Sequence, residues 1–280
     1  MTGLMRHWTA LRNVSLTATR VPFWIGAARV GWVRVSVADW LRAQGCTRTP
    51  AGVRLGSEAG LSTLAQRVAD RGELGLRGEA FDVRATFDGP VLSTLDRGAV
   101  PWFGVLGQGV HVNGLVRRAD GPHLWVARRA ADRLIDPGKL DHLFAGGVAA
   151  GSSVLETLAK EGLEEAGLGP EITGQAVPAG TLDYVTERPE GLRRDRLHCF
   201  DLWLTEDVRP APADGEVADY ELWPLERVME ALWETDDFKF NVALVLIDLL
   251  LRLGLVPEDE RAALAAGDVP SAIGGRDGLA

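Results

Sequence analysis

The stretch AGGVAAGSSVLETLAKEGLEEAGL, residues 145–168, constrains the fold more tightly than any other part of the chain. Ser153 followed by Glu156 has the Ser-x-x-Glu spacing of a helix start, in which two side chains and two backbone N–H groups satisfy one another. Gly167 suits the left-handed residue that ends a helix. At about 100° per residue, Leu155, Leu158, Ala159, Gly162 and Ala166 share one face. Ala159, Gly162 and Ala166 are small, so the helix can lie very close to whatever it packs on. Glu161, Glu164 and Glu165 occupy the adjacent face, where like charges repel. A divalent cation is the natural compensation. Carboxylates at the mouth of a glycine loop form a hard-oxygen site suited to Mg2+ or Mn2+.

A chain of 280 residues holds one large domain or two modest ones. A formal charge of −9 argues against binding a nucleic-acid backbone, but an anionic small ligand stays open because a bound metal inverts the local field. Cys46 and Cys199 stand far apart without metal-ligand spacing, so no disulfide framework and a reducing cytoplasm are expected. The N-terminus lacks the apolar core of a signal peptide. The longest apolar run, VALVLIDLLLRLGLV, is interrupted by Asp248 and Arg252 and reads as a buried helix, not a membrane span. Lys139, Lys160 and Lys239 are the only lysines in a chain otherwise served by arginine. A position that keeps lysine in that background calls for a compact ammonium.

Residues 1–20 read as a helical lead-in. PFWIGAARVGWVRVSVADWLRAQG suggests two short strands around a glycine turn and then a helix, and GSEAGLSTLAQRVADRGEL has helical period. From about residue 101 the texture changes. VHVNGLVRR and HLWVARRA are strand-like around an ADGP turn, and KLDHLFAGGVAAG is a further strand running into the glycine loop. Strands resume at GQAVPAGTLDYVTE and RDRLHCFDLWLT, and a helix covers about 241–253. The predicted organisation is a small α+β unit over 1–100, a second unit over 101–255 and a frayed tail over 256–280.

The glycine loop and helix resemble the Nudix box: Gly, five residues, Glu, seven residues, Arg-Glu, an aliphatic residue, any residue, Glu-Glu, any residue, Gly, aliphatic. Gly146 opens it, Glu161 follows the Arg position, Glu164 and Glu165 are the pair, and Gly167 and Leu168 close it. The chain departs at Ser152, Lys160 and Gly162, which stand where the pattern has Glu, Arg and the aliphatic residue. FGVLGQGVHVNGLV, LWVARRAADRLIDPGKLDHLFAGG, DGEVADYELWPLERV and DFKFNVALVLIDLLLRLGLV extend the likeness to a Nudix branch that hydrolyses thiamine diphosphate and its damaged forms. The branch also carries a small N-terminal domain. The resemblance implies an α/β/α sandwich around a mixed sheet, Mg2+ or Mn2+ as cofactor, and a small-molecule diphosphate as partner. It implies no nucleic acid, no membrane, and a monomer or homodimer.

Roles follow from the same resemblance. Glu161 and Glu165, one turn apart, would ligate the metal with the Gly146 carbonyl, and Glu164 would bind a further metal or orient water. Glu216 in DGEV resembles a distal acidic residue acting as base. Arg128 and Arg129 end a strand where alternation turns only one inward; Arg128 and Lys139 are assigned to the phosphates. Lys160, Gly147 and Gly167 support the site, with Lys160 bracing the glycine loop. His111 and His198 read as core or rim histidines, and Trp125, Trp203 and Trp223 as core, with a tryptophan wall expected near the ring. Ring selection is expected from the N-terminal domain and from LDYVTERPEGLRRDRLH. The alternatives are ADP-ribose or another nucleoside diphosphate derivative as substrate, an isopentenyl diphosphate isomerase relying on Cys199, and a regulator that uses the fold only for binding.

Overall fold

The computed structural model describes residues 3–11, 13–57 and 60–266. The lead-in forms α1 (Met5–Ala10) and α2 (Leu16–Thr19). β1 (Arg20–Ile25) and β2 (Ala28–Arg34) make the expected hairpin, turning at Gly26 with φ 56°. α3 (Ala38–Ala43), β3 (Thr47–Thr49) and β4 (Gly52–Leu55) complete a four-stranded sheet in the order β2-β1-β4-β3. α4 (Leu61–Asp70) adds its Leu61, Leu64, Ala65 and Val68 stripe to the same core. A separate hairpin of β5 (Ala80–Val83) and β6 (Ser93–Asp96) follows, then α5 (Val100–Phe103).

A larger mixed sheet begins with β7 (Leu106–Arg118) and β8 (Gly121–Arg129), the predicted hairpin. It continues through β9 (Leu140–Asp141), β10 (Phe144–Gly147), β11 (Val177–Arg188), β12 (Gly191–Leu204) and β13 (Val217–Pro224), in the order β11-β12-β7-β8-β13. β12 runs parallel to β7 from Arg194↔Leu106 to Leu204↔Val116. The other edge of β7 is shared: β10 pairs with residues 109–112 and β8 with residues 114–118. α6 (Val154–Ala166) and α7 (Pro170–Thr173) lie on one face, where Val110, Val112, Phe200 and Leu202 meet Leu158 and Ala166. α8 (Leu225–Glu234) and α9 (Val242–Arg252) cover the other, where Leu115, Leu124 and Val126 meet Val228 and Leu246. The alternation of each strand thus feeds two cores, giving the α/β/α sandwich. No described helix is long and apolar enough to cross a membrane.

Three expectations need correction. The single strand read in KLDHLFAGG is two, because the chain passes from β8 to β7 at His142 and Leu143. The expected tail contains α10 (Glu258–Ala266), whose Leu264 is buried in the core that holds Leu4 and Val256; residues 267–280 lie outside the described residues. Leu155, placed on the buried face, is 67% exposed in the first turn of α6, while Leu158, Gly162 and Ala166 further along are buried.

Gly162 is buried as the helical phase requires: a Cβ there would collide with Thr173 Cγ2 and approach Phe144 Cζ at 3.1 Å. Overpacking costs about 1–3 kcal/mol, against a propensity gain of less than about 1 kcal/mol. Gly162→Leu should therefore lower the melting temperature by several degrees, at about 2–4 °C per kcal/mol. A rise in melting temperature would show that this face of α6 is open.

Candidate active site

α6 begins and ends as its sequence dictates. Ser153 Oγ accepts from Glu156 N at 3.1 Å, and Glu156 Oε2 accepts from Ser153 N at 2.8 Å. Gly167 closes the helix with φ 66°. This phasing turns Glu161 and Glu165 toward β10. The Glu161 side chain fills the space that a Cβ on Gly146 would take, and Glu165 Oε2 accepts from Ala145 N at 2.9 Å. Gly147 makes the same kind of room for the ring of Phe81, from the N-terminal part of the chain. Burial raises the Glu161 carboxyl. Burial pushes Glu165 up to about 8; Asp141, Glu161 and Glu216 add to the push. Two desolvated carboxylates one turn apart, beside a bare backbone, make a donor set that fits a hard dication. Among the described residues no three His, Cys, Asp or Glu side chains form a cage on their own. Two carboxylates completed by water and substrate oxygens is the mode that Mg2+ favours.

Glu164 stands apart from this pair. It is half exposed and ion-paired with Lys160 at 3.1 Å, and Lys160 also reaches Glu161 at 3.2 Å. The bracing role expected of Lys160 is therefore corrected: its ammonium meets helix carboxylates, because its position on α6 points outward.

Glu165, Gly146 and Gly147 line a cleft of about 720 Å³. Glu216 reaches the cleft from the segment before β13 and pairs with Arg133 at 2.5 Å. Arg128 lies outside, 3.9 Å from Asp219, whereas Arg129 lines the cleft and donates to Asp141 Oδ2 at 2.8 Å. The correction is one of phase: Arg129 shares the side of β8 with Trp125, toward α6, while Arg128 shares the side of Leu124 and Val126. Lys139 also lies outside, bonded through Nζ to the Asp236 carbonyl. The lysine in the cleft is Lys239, buried, with Nζ 3.3 Å from Asp141 Oδ2. Burial acts to raise the Asp141 carboxyl, but Lys239 and Arg129 outweigh it and hold Asp141 well below the usual carboxylate range. Burial pushes the Lys239 ammonium down, opposed by Asp141. The signal for Lys239 was its rarity as a lysine, and the missing information was its partner.

His111 is buried at the cleft wall, and His198 contacts Gln108 Oε1 at 2.9 Å. Trp125 and Trp223 are core, and Arg117 covers Trp203 at 4.0 Å. None of the three lines the cleft; its aromatic walls are Phe81 and Phe240. Cys199 is buried behind the sheet, and burial raises its thiol out of the reactive range, which removes the support for the isomerase alternative.

The buried Glu165 carboxyl makes metal-free stability depend on pH. With its pKa pushed up to about 8 from the ordinary value of 4.5, the folded state holds a proton that the unfolded chain releases across that window. This contribution is fully present at the acid end and is lost as pH rises through about 8. Metal-free Glu165→Gln should therefore lose less melting temperature than wild type between about pH 6 and 8.5. Identical slopes would contradict the burial of this carboxyl.

The comparisons with known proteins agree with this geometry. The NUDIX domain model matches residues 107–244. Nudix hydrolase 20, chloroplastic, of Arabidopsis thaliana is 40% identical over 190 residues, covering 68% of this chain and 51% of that protein. Nudix hydrolase 24, chloroplastic, of the same plant is 40% identical over 182 residues, covering 65% and 50%. The uncharacterized protein YJR142W of Saccharomyces cerevisiae is 31% identical over 181 residues, covering 59% and 53%. The chain spans about half the length of these curated relatives. The family match lies on the strands and helix that build the cleft: residues 107–244 match the NUDIX domain and are similar to the two plant Nudix hydrolases.

Proposed function

We propose that the chain hydrolyses the diphosphate linkage of a thiamine diphosphate-like compound, such as oxothiamine or oxythiamine diphosphate, giving the monophosphate and phosphate. The observation that carries the hydrolytic reading is the pair Glu161 and Glu165 against the β10 backbone at Ala145 and Gly146, with Glu165 and Gly146 lining the cleft. Glu161, Glu165 and Gly146 would hold Mg2+ or Mn2+, which supplies charge neutralisation on the phosphates. Glu216 takes the proton of the attacking water as its oxygen bonds to the terminal phosphorus and the bridging P–O bond breaks. Lys239 offers ammonium hydrogens to the phosphate oxygens. Glu164 remains the assigned position for a further metal or water, now from the rim. The cytoplasmic setting belongs to the same proposal and rests on two unpaired, buried cysteines. A monomer or homodimer is part of it too.

The ring preference has its own physical support. Phe240 is already covered by Arg188 at 4.3 Å and Arg193 at 5.8 Å, and Phe81 by Arg97 at 5.6 Å. A cationic thiazolium stacking on either ring meets guanidinium charge, whereas a neutral ring does not. Residues 190–197 and the N-terminal Phe81 both reach this part of the cleft.

Glu161→Gln should lower kcat/KM by roughly a hundredfold or more, about 2.7 kcal/mol, with the fold intact by circular dichroism. Wild-type turnover in this variant at saturating Mg2+ removes the metal assignment. Compared under one metal condition, oxothiamine diphosphate should match or exceed thiamine diphosphate. ADP-ribose better by about tenfold (1.4 kcal/mol) leaves the hydrolase reading and discards the thiamine one.

A further inference from the structure

The cations contributed by the Nudix half of the cleft are nearly all committed to neighbours. Arg129 donates to Asp141 and to the Ile135 and Asp136 carbonyls. Arg133 is paired with Glu216, and Arg193 with Glu190 at 2.7 Å and Asp195 at 3.4 Å. Lys239 keeps ammonium hydrogens beyond its contact with Asp141, and Arg133 keeps an unbonded Nε among the described residues. A diphosphate carries more negative charge than these groups balance, since each already faces a carboxylate, and Glu165 makes the cleft itself acidic.

The missing charge sits on the N-terminal side. Arg97 and Arg77 line the same cleft from the two ends of the β5–β6 hairpin. Arg97 makes one side-chain ion pair, Nη1 to Glu79 Oε2 at 2.8 Å, and lies over the Phe81 ring; its Nε and Nη2 make no hydrogen bond among the described residues. The Arg77 guanidinium makes none either among the described residues. One carboxylate ties the two ends of the hairpin together: Asp96 accepts from Arg77 N at 2.9 Å, from Gly78 N at 2.8 Å and from Gly98 N at 2.8 Å. The hairpin is anchored to the glycine loop, since Ala150 N donates to Ala80 O at 2.7 Å and Phe81 sits against Gly147. The Arg97 charge reaches Glu161, where it opposes the effect of burial.

We infer that Arg97, assisted by Arg77, binds the substrate's phosphate oxygens, so that the segment before residue 101 supplies part of the diphosphate site and not only of the ring site. The inference rests on the hydrolase reading above and is tested apart from it. In the full-length protein with Mg2+, the Kd for methylenediphosphonate, a diphosphate that cannot be hydrolysed, is measured by calorimetry for wild type, Arg97→Gln, Arg97→Lys and Arg77→Gln. Arg42→Gln, at an exposed pair with Asp39 on α3, is the control. Arg97→Gln should weaken binding about tenfold or more, Arg77→Gln by less, and Arg97→Lys should recover part of the loss. With a hydrolysed diphosphate, KM should rise by a similar factor with kcat within about threefold and the melting temperature unchanged, since the Arg97–Glu79 pair is surface-exposed. Wild-type affinity in Arg97→Gln overturns the inference, as does a wild-type protein that does not bind methylenediphosphonate. Binding lost in Arg97→Gln while no diphosphate in the panel is hydrolysed supports the phosphate role and removes the proposed activity.

Discussion

Helix α6 approaches β10 at positions where only hydrogen fits. Gly162 admits Phe144 and Thr173, Gly146 admits Glu161, and Gly109 on β7 lies against the Gly146 backbone. The approach lowers the polarity around Glu161 and Glu165 and at the same time brings them to a backbone with no side chain in the way. A larger residue at any of these points lifts the helix, returns the carboxylates to water and separates them from the loop. The small residues are therefore electrostatic elements as much as packing ones.

The cleft holds two carboxylates in opposite conditions. Asp141 is flanked by Arg129 and Lys239 and stays ionised in spite of burial. Glu165 has one backbone N–H, and burial, with Asp141, Glu161 and Glu216 nearby, pushes its carboxyl up to about 8. Environments that push two acids apart in this way are how one fold separates a structural charge from an available one. Asp141 fixes the cations of the inner wall, and Glu165 is the carboxyl that the proposed dication would ionise.

Local signals in the sequence were read correctly where the physics is local. The capping box at Ser153 and Glu156, the left-handed Gly167 and the β7–β8 hairpin all follow from contacts within a few residues. The burial of Gly162 followed from helical period alone. Long-range placement was not legible. Alternation says that Arg128 and Arg129 face opposite ways, but which way is inward is decided by the helix that covers β8. Lys239 meets Asp141 across 98 positions of sequence, and Lys139 is bonded to the Asp236 carbonyl across 97. The division of β9 from β10 depends on two neighbouring strands sharing one edge of β7, which periodicity does not report. Leu155 failed for a related reason: a helical wheel gives direction, not which turns of the helix are covered.

The parallel pairing of β7 with β12 has a consequence for how the protein is made. The centre of the large sheet joins Leu106 to Arg194 and Val116 to Leu204, so it cannot close until nearly three quarters of the chain exists. At about 5–20 residues per second, the ribosome exposes β7 for several seconds before its partner emerges. Its Val110, Val112 and Leu115 face both cores of the finished protein, and until then its β12 edge is unpaired, with β8, β10 and α6 the neighbours already made. The antiparallel β7–β8 hairpin, closed by a turn of two residues, is the part of the sheet that can form early and cover part of the other edge. Synthesis order thus makes the hairpin a holding structure for the strand on which the whole sheet is later assembled.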